Sequence, residues 1–120
     1  MTTATIEMTI PELISEAKTV ARHAASKYFA EKMDNFDGGC CGFAWVTIYD
    51  FEGKKIRKNS KIGKALELAG VTKSWDGFFQ IWNPSNFPCQ NIDTLEEGAR
   101  AAAELLKKAG FTAYAGSRLD

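Results

Sequence analysis

The chain has 120 residues, the size of one ordinary domain, and at 45% hydrophobic and 25% charged its composition is globular. About two-thirds of the unfolded surface of such a chain is buried on folding, so one core suffices without disulfides or metals. Fifteen basic residues balance fifteen acidic ones. That balance argues against a nucleic-acid polymer as partner, because such affinity comes from clustered Lys and Arg neutralising phosphates.

No apolar run reaches the ~20 residues of a membrane helix, so no membrane partner is expected. Met1-Thr2-Thr3-Ala4-Thr5 lacks the basic-then-apolar layout of a signal peptide. Of three cysteines, Cys40 and Cys41 are adjacent. That is a poor disulfide framework and suits a reducing compartment, so the expected location is the cytoplasm.

The first element is a helix from about Ile10 to Met33. Thr9 followed by Glu12 reads as a capping box, with Pro11 in the first turn. Ile10, Leu13, Ile14, Ala17, Ala21, Ala24 and Tyr28 form its apolar stripe. A turn-rich stretch, Asp34 to Gly42, leads into a strand from Gly42 to Asp50. Ala44, Val46 and Ile48 share one face of it; Phe43, Trp45, Thr47 and Tyr49 share the other. After a basic loop, Ser60 caps a short helix bearing Ile62, Ala65, Leu66 and Ala69, which Gly70 ends.

A second strand is expected from Gly77 to Trp82, with Phe79 and Ile81 facing one way and Phe78, Gln80 and Trp82 the other. Two prolines make Asn83 to Pro88 irregular. Thr94 with Glu97 reads as a second capping box, opening a helix that runs to about Ala109 and stops at Gly110. Phe111 to Ala115 is a third strand, and Gly116 to Asp120 is a tail.

The expected fold is therefore a single α+β domain over residues 1–120. A three-stranded sheet carries helices on one face, in the order α-β-α-β-α-β. One sheet face is apolar, with Ala44, Val46, Ile48, Phe79, Ile81, Phe111 and Ala113. The other carries Trp45, Thr47, Tyr49, Gln80, Trp82, Thr112 and Tyr114. A contiguous aromatic patch marks a binding surface, either for a flat ligand or for another subunit, and a homo-oligomer is expected.

Four places are candidates for chemistry. A nucleophilic Cys40 or Cys41 needs a base, and His23, the only histidine, lies within the first helix, with nothing in the sequence that brings them together. Zinc held by Cys40, Cys41, Cys89 and His23 would need paired cysteines two to four residues apart, not adjacent. No catalytic residue, metal or cofactor is therefore assigned. The basic run Lys54 to Lys61, with Arg57 in it, is either a phosphate site at a helix start or a solvated loop. Trp82-Asn83-Pro84-Ser85 is either a ligand wall or a structural turn. Arg118, one of four arginines, meets either an anionic ligand or an acidic neighbour.

The blocks Cys41-Gly42-Phe43-Ala44-Trp45-Val46, Trp82-Asn83-Pro84-Ser85 and Glu97 through Asp120, which ends GSRLD, resemble small proteins encoded by many tailed bacteriophages. The resemblance covers roughly the last eighty residues. It implies a phage origin and the host cytoplasm. Several phage proteins of this size are anti-defence factors, and one group, the Thoeris anti-defence sponges, sequesters cyclic ADP-ribose signals in oligomers without cleaving them. None of that group's binding residues matches a position here, so none is carried over.

Together these readings predict a non-enzymatic protein that sequesters a nucleotide-like small molecule. The expected site residues are Trp45, Tyr49, Arg57, Trp82, Asn83, Ser85, Arg100 and Arg118. The alternative is a protein–protein inhibitor of a host defence enzyme that uses the same aromatic face.

Overall fold

The computed structural model describes residues 9–120; the expected absence of a signal peptide concerns residues outside that range. Among the described residues there are three helices, α1 (Ile10–Lys32), α2 (Lys61–Leu68) and α3 (Ile92–Lys108). Four strands accompany them, β1 (Gly42–Tyr49), β2 (Thr72–Lys73), β3 (Phe79–Trp82) and β4 (Thr112–Leu119). The class is α+β. The strands form one antiparallel sheet in the order β2-β3-β1-β4.

The capping box that opens α1 is fully made. The Glu12 N–H donates to Thr9 Oγ1 at 3.2 Å, and the Thr9 N–H donates to Glu12 Oε1 at 2.9 Å. The Thr9 N–H, and after it the Thr9 hydroxyl, which donates to the same carboxylate oxygen at 3.0 Å, hold the Glu12 carboxyl below its usual range. Leu13, Ile14, Ala17, Ala21 and Ala25 form the buried stripe, so Ala25 takes the place expected of Ala24. Ser60 caps α2 by accepting from the Gly63 N–H at 3.0 Å.

Three expectations are corrected. The sheet has four strands, not three, because the chain after α2 adds the two-residue β2 to the outer side of β3. A pair of residues is too short to leave an alternation signal. The cap of α3 is Asn91, not Thr94. Asn91 Oδ1 accepts from both the Thr94 N–H and the Thr94 hydroxyl at 2.9 Å, and Thr94 is buried in the first turn. Asn91 is fixed from outside the helix, donating to the Gly38 carbonyl at 2.8 Å. Finally, the expected tail is strand. β4 continues to Leu119 because β1 starts at Gly42 and supplies partners, with Phe43 opposite Arg118 and Gly42 opposite Leu119.

One apolar core lies between the sheet and the helices. Ala44, Val46, Ile48, Phe79, Ile81 and Ala113 point into it and meet Leu13, Ile14, Ala17 and Ala21 of α1 and Leu95, Ala99, Ala102 and Leu106 of α3. α1 and α3 approach closely at Gly98, where a Cβ would stand 3.1 Å from the Ala21 carbonyl and 2.7 Å from Ser85 Cβ. A helix-interior glycine is costly, and this contact is its reason. No helix among the described residues is long and apolar enough to cross a membrane.

Candidate ligand site on the open sheet face

The alternation that buries Ala44, Val46 and Ile48 turns Phe43, Trp45, Thr47 and Tyr49 to the face that none of the described helices covers. Register brings their neighbours alongside. Trp82 and Gln80 of β3 lie opposite Trp45 and Thr47, while Arg118, Gly116, Tyr114 and Thr112 of β4 lie opposite Phe43, Trp45, Thr47 and Tyr49. The face divides into two aromatic groups around a polar centre, where Gln80 Nε2 donates to Thr47 Oγ1 at 3.3 Å.

The first group is built on Trp45 and Trp82. Their ring planes are 4° apart and their centroids 5.4 Å apart. Phe43 flanks Trp82 at 5.8 Å. On the other side Trp45 lies across Gly116, where a Cβ would come within 2.6 Å of the indole Nε1. Arg118 lays its guanidinium over the Phe43 ring at 5.4 Å. The salt bridge considered for Arg118 does not form, and no acidic partner for it occurs among the described residues.

An open depression of about 320 Å³ sits on this group, bordered by Trp45, Ser74, Trp75, Asp76, Gln80, Trp82 and Arg118. Its volume is at the lower end for small-molecule sites, which run from about 300 to 1,000 Å³. The β2–β3 turn forms one wall. Ser74 takes a hydrogen bond from the Phe78 N–H at 3.2 Å and pairs with the Asp76 carboxylate, while Lys55 donates to the Asp76 carbonyl at 3.1 Å. Trp75 projects from this turn almost wholly exposed.

The second group holds Tyr49, with Phe78 at 5.5 Å and Tyr114 at 5.8 Å. A lysine stands over each flanking ring, Lys55 Nζ at 4.9 Å from Phe78 and Lys107 Nζ at 5.9 Å from Tyr114. Both ends of the face are thus aromatic and cationic.

The other expected site residues lie elsewhere. Asn83 adopts a left-handed conformation with φ of 47° and donates its N–H to the Ala44 carbonyl at 2.9 Å. It borders a separate hollow with Lys18, Trp82, Pro84 and Asn86. Ser85 is buried beneath that loop, and its hydroxyl accepts from the Phe87 N–H at 3.2 Å. Arg57 lines a hollow of about 290 Å³ with Asp50, Lys54, Lys55, Ile56, Ser60 and Ile62. Arg100 is paired along α3 with Glu97 at 2.9 Å and Glu96 at 3.6 Å.

The glycine–cysteine loop is tied down by Asp37, whose carboxylate accepts from the backbone N–H groups of Gln90 and Asn91 at 3.0 to 3.1 Å. Cys40 and Cys41 are exposed, and burial pushes the Cys89 thiol above its usual range. Among the described residues, no three His, Cys, Asp or Glu side chains gather to hold a metal.

Sequence reasoning brought Trp45, Trp82 and Arg118 forward and missed Trp75, Ser74 and Asp76, because the β2–β3 pairing that folds them back was not visible. Gly116 was also missed. Its signal was available, since a glycine between Tyr114 and Arg118 in an alternating run marks a place where something lies across the strand. No family model matches this chain, and no curated protein or solved structure is significantly similar to it.

Proposed function

We propose that this chain is a non-enzymatic binding protein that sequesters a flat, nucleotide-like small molecule on its open sheet face. The observation that carries this reading is that all three tryptophans of the chain border one depression together with Arg118. Indole faces stack a base at roughly 1–3 kcal/mol each. Arg118, which has no acidic partner among the described residues, suits a phosphate, and a guanidinium recognises it in bidentate fashion. Asp76 and Gln80 offer hydrogen-bonding groups for ribose hydroxyls and base edges. Sequestration needs stacking surfaces and cations but no acid–base pair, which is why the anti-defence sponge role implied by the resemblance is kept as the biological form of this proposal. Of Arg57, Arg100 and Arg118, Arg118 is the one that stands at the tryptophans.

Tryptophan emission tests the site directly. AMP and ADP-ribose are expected to quench it saturably, and adenosine more weakly. Arg118→Gln should weaken AMP by about tenfold or more, the size of a lost charge-assisted bond, while leaving adenosine nearly unchanged. A ligand carried through purification would also raise absorbance near 260 nm beyond that of the protein. No quenching by any of the three at millimolar concentration, with no excess absorbance, would sink the proposal.

A second reading has one observation behind it. Trp75 is 98% exposed at the tip of the β2–β3 turn, and Trp, Tyr and Arg dominate protein–protein hot spots. In that reading the same face inhibits a host enzyme, and the ligand titrations above give no response.

A further inference from the structure

β4 ends the sheet on one side. The direction of its backbone groups follows from two hydrogen bonds. The Asp120 N–H donates to the Cys41 carbonyl at 3.1 Å, continuing the β1–β4 register, and the Asn83 N–H donates to the Ala44 carbonyl at 2.9 Å. Ala44 therefore spends its groups on the β3 side, and Phe43 and Trp45 spend theirs on β4. Along β4, Thr112, Tyr114, Gly116 and Arg118 turn their N–H and C=O to β1. Ala113, Ala115, Ser117 and Leu119 turn theirs outward, and no described residue pairs with them.

Natural proteins blunt such edges with Lys, Pro, inward-pointing charge or brevity. The opposite edge is blunted in this way, since β2 is two residues long and contains Lys73. β4 has eight residues, TAYAGSRL, with no Lys, Pro, Asp or Glu, and its outward positions carry small side chains except at Leu119. Its one charged side chain, Arg118, is laid over Phe43 on the open face.

We infer that the β4 edge is an interface between two copies of this chain, paired antiparallel about a two-fold axis at Gly116. Outward-facing residues must meet outward-facing residues, which leaves few registers. With the axis at Gly116, Ala115 meets the partner's Ser117 and Ala113 meets the partner's Leu119, and the whole span from Thr112 to Asp120 is paired. On the open face Arg118 then lies across from the partner's Tyr114, a cation over an aromatic ring. Asp120 comes to the end of β4 where Lys107 stands over Tyr114, matching opposite charges. An axis one residue earlier sets Tyr114 against the partner's Gly116, whose surface Trp45 already covers. The pairing joins two four-stranded sheets into one of eight strands and makes the two open faces continuous. It stands independently of the ligand reading.

The test is mass against concentration for the wild type and two variants. Ala115→Pro removes an N–H that points outward and spares every bond to β1, as proline is tolerated on a free edge. Ala115→Lys places a charge on the same edge. The wild type is expected at twice the 13.2 kDa of one chain, and both variants at the single-chain mass with an unchanged far-UV spectrum. Hydrogen exchange supplies the second readout, in which the Ala113, Ala115 and Ser117 amides are protected in the wild type and Ala113 and Ser117 exchange fast in Ala115→Pro. A wild type at the single-chain mass across the whole range overturns the inference, and protected edge amides in such a monomer would assign the edge to the chain's own residues 1–8. Folded variants that keep the double mass overturn it too. If Ala115→Pro fails to fold, Ala115→Lys and the wild-type exchange pattern decide.

Discussion

The indole of Trp45 lies so close across Gly116 that even a methyl group there would come within 2.6 Å of its Nε1. The glycine is what lets the ring lie down over β4 and keep its plane within 4° of Trp82. Gly116→Ala should lift the ring without disturbing the core, because the clash is on the open face. The expected cost is about 1 kcal/mol, the low end for overpacking. Tryptophan emission and near-UV dichroism should change, while the far-UV spectrum does not. Unaltered tryptophan spectra would mean that the ring has another resting place.

Asn91 and Thr94 offer a test of how α3 begins. Asn91→Ala removes the cap, and its bond to the Gly38 carbonyl goes with it. Loss of a cap costs about 0.5–2 kcal/mol, and the upper half of that range is expected here because Asn91 is buried. Glu97→Ala should stay within about 0.5 kcal/mol, as it breaks only an exposed pair with Arg100. Chemical denaturation of both variants checks the order. The reverse order would restore the Thr94–Glu97 capping box.

The same pair shows what sequence could and could not say. Thr94 and Glu97 satisfy the capping pattern, and so does Asn91 as a lone cap residue; the choice between them was made by Asp37 and Gly38, more than fifty residues upstream, which hold Asn91 in place. Ala44, Val46 and Ile48 were legible because a strand buried on one face must alternate. Residues 116–119 were not, because Gly-Ser-Arg-Leu has weak strand propensity and its pairing depends on where β1 begins. For the site, Trp45 and Trp82 share a face by local alternation alone, whereas Trp75 reaches it only through the β2–β3 turn.

The three cysteines should differ in reactivity. Cys40 and Cys41 are exposed, whereas Cys89 is partly buried and its thiol is raised above the ordinary range, chiefly by desolvation and further by the charge of Asp37. A raised pKa lowers the thiolate fraction at any given pH, so the alkylation profile of Cys89 in the folded protein should lie at higher pH than in the unfolded chain. The sign for stability is the same. The contribution is fully present below the pKa of the unfolded thiol and is lost as pH rises through the higher folded value. Cys89→Ser should remove that alkaline decline. Peptide-resolved alkylation of the folded and the denatured protein across pH 7 to about 10 checks this, spanning the usual thiol range. Equal Cys89 profiles in the two states would count against its burial.

Trp82 is the residue whose removal best separates binding from folding. It ends β3, and half of its surface is exposed while Ile81 beside it is buried. Truncating a fully buried Trp costs about 3–5 kcal/mol. Trp82→Ala should cost clearly less, because half of the side chain is exposed and its ring packs on Phe43 and Trp45 over the open face. The same change removes a stacking surface worth roughly 1–3 kcal/mol, or about a 5- to 150-fold loss in affinity for AMP. A thermal melt and a calorimetric titration on the same variant give both numbers. A large fall in melting temperature with AMP affinity unchanged in the folded fraction would make Trp82 a structural residue. The ligand would then be sought at the hollow beside Arg57, where Lys54 and Lys55 supply the positive charge.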